Sequence, residues 1–401
     1  MKTRFTGHFT QQEPIPEDAI EAAVAVMRSG RLHRYNVAEG EAGETALLER
    51  EFADLTGARY CLAVASGGYA LACALRAVGV GPGDRVLTNG FTLAPVPGAI
   101  ASVGAQPVLV EVTPDLVIDL DDLAAKVRAS GARVLMLSHM RGHICDMDRL
   151  MELCDGAHVT VIEDCAHTMG AAWDAVPSGR HGVIGCYSTQ TYKHVNSGEG
   201  GLLVSDDDRL MARMILLSGS YMLYDRHLAA PPAEAFEDVR YETPNISGRM
   251  DNLRAAILRP QLVRLPEQVA AWNARYRVVE DGLCGARGIA LVERPAKEAF
   301  VGSSIQFRLP DFDAAQIGAL LANCAARGVE LKWFGADEPR GYTSRHDSWR
   351  YAPAQALPRT DAVLATLIDM RLPLTFSIED CAMIAEIIRE EVELLALNAP
   401  G

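Results

Sequence analysis

The chain has 401 residues, with 38 lysines and arginines against 52 aspartates and glutamates, a formal charge of −14. That acidic balance, with no basic tract, argues against a general binder of nucleic acid or of an anionic membrane surface. Apolar residues at 49% and charged residues at 22% exclude wholesale disorder and allow a large core, and the length favours two or three packed units. Only five of the basic residues are lysines, at positions 2, 126, 193, 297 and 332. No segment approaches the roughly 18 apolar residues of a membrane span, and the opening residues lack the apolar centre of a signal peptide. Nine scattered cysteines, an odd number without a CxxC pair, read as reduced thiols of a cytoplasmic protein, not as a disulfide framework or a zinc site.

In chain order, Pro16 opens a helical stretch, Glu17 to Arg28, ahead of the main fold. Short apolar runs follow at Cys61–Ala65, Arg85–Leu87, Pro107–Val112, Arg133–Leu137, Val159–Ile162 and Gly182–Tyr187. Helical patterns at Ala70–Val78, Leu120–Val127 and Asp146–Cys154 separate most of them. Strands apolar throughout and separated by helices predict an α/β fold with a mostly parallel sheet covered on both faces. In such sheets ligands sit at the carboxyl ends of the strands. A long helical pattern then runs through Leu253–Val278, with breaks expected at Pro260 and Pro266. A smaller α+β segment closes the chain, with extended runs at Ser303–Leu309, Val329–Phe334 and Ile368–Leu374 and helices at Ala314–Ala326 and Ile378–Leu395. The expected organisation is an N-terminal arm over 1–30, a large domain over 31–261 and a small C-terminal domain over 262–401.

Four stretches carry candidate chemistry. Gly79-Val-Gly81-Pro-Gly83-Asp84 is glycine-rich but follows a helix and precedes a strand, the reverse of a phosphate loop, and reads as a helix-terminating turn. Ser66-Gly67-Gly68 has the right order, strand into helix, so that free N–H groups and close backbone approach suit an anion; an ordinary βα turn is the alternative. Glu163-Asp164 ends an apolar strand, where a buried carboxylate needs a partner: a helix cap, an ion pair, or a cationic cofactor nitrogen held by Asp164. The polar loop Tyr187 to Gly201 contains Lys193, either a solvated charge or an amine nucleophile for Schiff-base chemistry. His139-Met-Arg-Gly-His143-Ile-Cys145-Asp146 holds metal-competent residues at a spacing that matches no metal cage.

Taken together, these pieces resemble the DegT/DnrJ/StrS family of pyridoxal-phosphate aminotransferases. The resemblance rests on Leu48-Glu49 with Phe52-Ala53, Ser66-Gly67-Gly68, Gly83-Asp84, Gly104-Ala105, Asp146 and Asp148, Glu163-Asp164-Cys165-Ala166-His167, Ser188 to Lys193, Gly198 to Gly201, Arg249-Met250 and Leu372-Pro373-Leu374. It implies fold type I, a large domain with a mostly parallel sheet between helices, plus the smaller C-terminal α+β domain. It implies that Lys193 forms the internal aldimine with pyridoxal 5'-phosphate and then shuttles the substrate proton. Asp164 would pair with the pyridine nitrogen. Ser66, Gly67, Gly68 and Ser188 would bind the phosphate with help from Gln190, and His167 would lie near the ring. Two departures from the family pattern stand out. Where an aromatic usually stacks on the ring this chain has Leu93, leaving Leu93 or Phe91 for that role. Where the partner subunit usually supplies an asparagine to the phosphate it has Ser247, with Asn245 two residues earlier.

The activity implied is ping-pong transfer of an amino group from an amino-acid donor to a small carbonyl acceptor such as a keto-sugar or keto-cyclitol. A homodimer with active sites at its interface is implied as well. Tyr35, Arg345 and Arg371 are candidate substrate contacts, Arg371 as a bidentate partner for a carboxylate; solvated or ion-paired arginines are the alternative. A lyase, eliminase or racemase on the same fold is a second reading, and a non-catalytic relative a third.

Overall fold

The computed structural model describes residues 3–341 and 345–397. The chain opens with α1 (Glu17–Ser29) and α2 (Glu44–Thr56), and continues β1 (Tyr60–Val64), α3 (Gly67–Ala77), β2 (Arg85–Asn89), α4 (Pro95–Ser102) and β3 (Gln106–Val110). Next come α5 (Leu120–Ser130), β4 (Val134–Ser138), α6 (Met147–Gly156), β5 (Thr160–Asp164), the short ribbon β6 (Ala172–Trp173) and β7 (Val176–Pro177), then β8 (Ile184–Ser188) and β9 (Gly201–Ser205). Helices α7 (Asp208–Ser218), α8 (Glu234–Glu237) and α9 (Asn252–Leu283) lead to β10 (Ala290–Leu291), β11 (Glu298–Ala299), β12 (Ser304–Arg308) and α10 (Ala314–Ala326). The chain closes with β13 (Lys332–Trp333), α11 (Pro358–Leu364), β14 (Leu367–Arg371) and α12 (Ile378–Leu397). Helices α5, α6, α7, α9 and α10 each open on an aspartate whose carboxylate accepts backbone N–H groups of the first turn, which satisfies donors that the helix leaves unpaired.

The large sheet has the order β1-β9-β8-β5-β4-β2-β3. β9 is antiparallel to both neighbours and every other adjacent pair is parallel, so β9 alone runs against six strands. Burial on both faces explains the unbroken apolar runs. Leu62, Ile162 and Leu203 pack with α3 and α7 on one side. On the other, Leu135 and Val161 pack with α5 and α6, and Ala63 and Leu202 with α2 and α9. The expected glycine-rich turn at 79–84 lies between α3 and β2, where Gly81 N–H donates to the Asp84 carboxylate.

The smaller sheet, β10-β12-β14-β13, is antiparallel throughout and packs on α10, α12 and the end of α9. Phe5 and Phe9 of the N-terminal arm enter this core, each edge-on to Phe376 at 4.9 Å. Helix α9 corrects one expectation: it runs unbroken for 32 residues with Pro260 and Pro266 inside it. Each interior proline costs about 3 kcal/mol, but α9 packs along α1, α2 and α12. Leu258, Leu262 and Leu265 belong to the large-domain core, whereas Tyr276, Val279 and Leu283 belong to the small one. Position 262 therefore falls inside a helix common to both cores.

A buried ion cluster ties the start of the large domain to the segment after α7. Arg34 Nη1 and Nη2 donate to the two Glu49 oxygens at 2.8 Å each, and His227 Nδ1 lies 3.0 Å from Glu49 Oε2. Tyr35 hydroxyl meets His227 Nε2 at 2.7 Å. Burial opposes the Glu49 charge, yet Arg34 and His227 outweigh it and hold the carboxyl at about 2. Because that value lies below its ordinary one, the stabilisation is present above the ordinary carboxylate range and is lost as pH falls toward 2. Arg34→Met is expected to destabilise the fold by roughly 3–5 kcal/mol at neutral pH, by stranding a buried carboxylate. Chemical denaturation reads this; the penalty should shrink in acid, and an equal penalty at pH 3 and pH 7 would contradict the assignment.

Candidate active site

Because the strands run one way, the carboxyl ends of β1, β4, β5 and β8 open at one edge of the sheet, and β9 begins there. Asp164 ends β5, 7% exposed. Its Oδ1 accepts from Ala166 N–H at 3.1 Å and its Oδ2 from Ser138 Oγ at 3.1 Å. Thr92 Oγ1 in turn donates to Ser138 Oγ at 2.8 Å. Burial raises the Asp164 carboxyl above its ordinary value, with Lys193 pulling against that rise. Glu163, its neighbour in sequence, points the other way. It accepts from Gly179, His181 and Gly182 N–H at 2.7–2.9 Å and contacts His139 Nε2 at 2.9 Å. Its role is to hold the loop before β8.

Lys193 lies in the loop from β8 to β9, which is folded by Thr189 N–H to Gly200 O and Thr191 N–H to Gly198 O. Its Nζ meets His167 Nε2 at 2.9 Å. Loss of hydration lowers the ammonium to about 7; Asp164 opposes this, while Arg141 and Arg371 add to it. Burial likewise drives His167 well below its ordinary value, so the ring is neutral. His167 Nδ1 accepts from Arg141 N–H at 3.3 Å, which assigns the ring proton to Nε2. Nε2–H then donates to an uncharged Lys193 amine, the form that attacks carbonyl carbon.

At the other end, Ser66 caps α3, its Oγ accepting from Tyr69 N–H at 3.1 Å. A Cβ on Gly67 would lie 2.8 Å from Ser188 Cβ, and one on Gly201 2.5 Å from Ser66 O. The glycines thus allow the β1 and β8 ends to close on each other around the N-terminus of α3, an anion cradle. Ser66, Gly67, Gly68, Ser188, Gln190, Leu93, Asp164, His167, Lys193 and Arg371 all line one cavity of about 260 Å³. A second cavity, of about 270 Å³, meets it at Arg141, His167, Tyr192, Lys193 and Arg371, and is lined on one side by Gln12–Pro16 of the N-terminal arm.

Five expected site residues do not reach the cofactor cavity. Phe91 is buried edge-on against Phe334 at 4.9 Å, leaving Leu93 as the apolar wall. Tyr35 belongs to the Glu49 cluster. Arg345 pairs with Asp347 at 2.7 Å, and residues 342–344 of the aromatic, arginine-rich run lie outside the described residues. Asn245 and Ser247 are exposed after α8, where Arg249 contacts Ser247 at 3.3 Å. The metal-competent stretch disperses: His143 Nε2 meets Gln306 at 2.8 Å and Asp146 caps α6. His139, Glu163 and Cys165 lie close together, but the Glu163 oxygens are already taken by the contacts above. Ser138 and Arg141 were not among the expected residues. Both follow the run ending at Leu137, so the carboxyl-end rule was their available signal.

A sheet of this order, with an acid, a lysine and an anion cradle at one edge, is the architecture of the fold type I transferases. The chain belongs to the DegT/DnrJ/EryC1/StrS aminotransferase family, which matches residues 14–389. It is 36% identical over 236 residues to GDP-perosamine synthase of Caulobacter vibrioides, covering 58% of each chain. It is 30% identical over 303 residues to L-glutamine:scyllo-inosose aminotransferase of Streptomyces griseus, covering 74% of this chain and 70% of the relative. The chain thus spans about three fifths of the length of the first of these relatives. The crystal structure of 3-amino-5-hydroxybenzoic acid synthase superposes with a TM-score of 0.81 at 26% identity, covering 98% of this chain and 99% of that one.

Two outcomes test the geometry. Competitive amine labelling of the cofactor-free protein, read by mass spectrometry, should give Lys193 a midpoint near pH 7 and Lys332 one near 8, with Lys297 above its ordinary range. A common midpoint would contradict the burial argument. Gly67→Ala should weaken pyridoxal phosphate binding at least about tenfold, roughly 1.4 kcal/mol, in equilibrium dialysis.

Proposed function

We propose that the protein is a pyridoxal-phosphate-dependent aminotransferase that moves an amino group from an amino-acid donor to a hydroxylated cyclic ketone, a keto-sugar or keto-cyclitol, in a ping-pong cycle. One observation carries this reading: the amine of Lys193 shares one cavity with the Asp164 carboxylate and the Ser66–Gly67–Ser188 cradle. The donor set fits the cofactor at each end. Hydroxyls and helix N–H groups meet a phosphate, Lys193 meets an aldehyde, and the buried Asp164 meets a protonated pyridine nitrogen, the partner that its raised affinity for a proton calls for. When bound, the cofactor supplies an electron sink for the bond made or broken at the amino-bearing carbon.

The chain's own groups do the rest. Ser138 and Ala166 N–H fix the Asp164 carboxylate, and Leu93 packs as an aliphatic wall. His167 Nε2–H orients the Lys193 lone pair, and Lys193 is placed to carry a proton between substrate and cofactor. The names of the relatives, a perosamine synthase and a scyllo-inosose aminotransferase, support a sugar-like or cyclitol acceptor. A homodimer is part of this reading, with Asn245 or Ser247, both exposed, reaching the partner's cradle. Nine free cysteines, eight of them buried, suit the reducing cytoplasm.

The reconstituted protein should be yellow, and Lys193→Ala should lack the visible band. Glutamine, glutamate, aspartate or alanine should bleach that band in the wild type and leave a form that a ketone acceptor restores. Colourless reconstituted wild type would overturn the cofactor assignment. Ammonia and a keto acid released without an acceptor would point to elimination instead.

A further inference from the structure

Arg141 adopts a left-handed backbone conformation, φ 57° and ψ 20°, in the turn after β4, and Gly142 follows it at φ 82°. This conformation is unfavourable for any residue with a Cβ and persists where the surroundings enforce it. The turn presses on His167. A Cβ on Gly142 would lie 3.1 Å from the His167 carbonyl oxygen, and the Arg141 N–H donates to His167 Nδ1 at 3.3 Å. That N–H belongs to the peptide before residue 141. Relaxing φ to a negative value turns this peptide and carries the N–H off the ring.

The anchor of the turn lies in the other domain. The buried Arg141 guanidinium crosses the seam, with Nη2 2.8 Å from Asp369 Oδ2 and Cζ 5.8 Å from the centre of the Phe334 ring. Asp369 is fully buried on β14, in register with Gln306 of β12 and Lys332 of β13. Its Oδ1 accepts from Gln306 Nε2 at 2.8 Å, and Gln306 Oε1 meets His143 Nε2 at 2.8 Å. The carboxylate is therefore fixed within the small sheet with Oδ2 toward Arg141. The contact is one of charge rather than an aligned hydrogen bond. Neither group can turn to water, and breaking such a pair leaves a buried charge uncompensated.

We propose that Asp369 is a positioning residue for Lys193, acting through Arg141 and His167. Its carboxylate anchors the Arg141 guanidinium across the seam, and that anchorage keeps residue 141 left-handed. The aimed N–H then occupies His167 Nδ1, so the ring keeps its proton on Nε2 and presents it to the lysine amine 2.9 Å away. The other tautomer would offer Nε2 as an acceptor and favour the ammonium, which is not nucleophilic. The small domain thus sets the hydrogen bond that a lysine of the large domain receives. The consequence for turnover rests on the aminotransferase reading, whereas the link from Asp369 to the His167 tautomer does not.

The test reads the His167 tautomer by long-range proton–nitrogen NMR of the full-length, cofactor-free protein carrying isotope-labelled histidine. Loss of signals in His167→Asn identifies the ring. The wild type should show a neutral ring with its proton on Nε2. Asp369→Asn and Arg141→Ala should each shift the proton wholly or partly to Nδ1. Arg141→Gly should keep the wild-type pattern, with or without Asp369→Asn, because glycine is left-handed without strain. Rescue by glycine but not by alanine separates the backbone role from loss of a charge or loosening of the seam. Arg141→Ala gives the reading should Asp369→Asn fail to fold. Nδ1–H in the wild type, an unchanged tautomer in Asp369→Asn or in Arg141→Ala, or loss of the pattern in Arg141→Gly overturns the assignment. The aminotransferase reading fails separately, when no amino acid bleaches the cofactor-loaded wild type.

Discussion

The site depends on one electrostatic constraint: the half-buried amine of Lys193 is poorly hydrated, and among the described residues no carboxylate forms an ion pair with it. Asp164 attracts the ammonium but is itself desolvated and held by Ser138 and Ala166 N–H. Arg141 and Arg371 push in the opposite sense. The balance lowers the ammonium to about 7, so that a large share of the amine is uncharged near neutral pH, with the neutral His167 ring as its hydrogen-bond donor. An ordinary lysine is protonated in all but a minute fraction at that pH and is a poor nucleophile. The reactivity inferred for Lys193 is therefore a consequence of packing.

That packing follows from the sheet. A single reversed strand, β9, lies between β1 and β8 and begins at the edge where its neighbours end. Without the reversal, the loop after β8 would have to cross to the far edge and would carry Lys193 away from Asp164. The reversal also brings the Ser66 turn and Ser188 to either side of Gly201, so tightly that side chains at 67 and 201 would collide with their neighbours. Glycine at these positions is a steric requirement of the cradle.

Much of this was legible in the sequence. The apolar runs fall on β1–β5 and β8, and helix Ala314–Ala326 has the predicted bounds, with a capping box between Asp313 and Gln316. The Ser66 turn, Asp164, Ser188 and Lys193 converge as expected. Tertiary packing decided the rest. Pro260 and Pro266 suggested breaks, yet α9 stays whole because its two halves bury into different cores. Phe91 looked available to a cofactor ring, but Phe334, more than two hundred residues away, holds it in the core. No local pattern encodes either outcome.

The same distinction separates the two ends of the site. Asp164, Ser188 and the Ser66 turn come from strand ends of the large domain, each within a short motif, and such motifs are readable one at a time. The basic end is assembled differently. Arg141 comes from the large domain, whereas Arg371 and its neighbour Asp369 come from the last strand of the small one. Their approach is fixed by α9, which runs through both cores, and by Phe5 and Phe9, which strap the arm to the small domain. A shift of one domain against the other would leave Asp164 and the cradle intact while separating Arg141 from Asp369. The acid, the lysine and the anion cradle thus belong to one sheet, whereas the Arg141–Asp369 pair lies at the seam, where domain packing controls it.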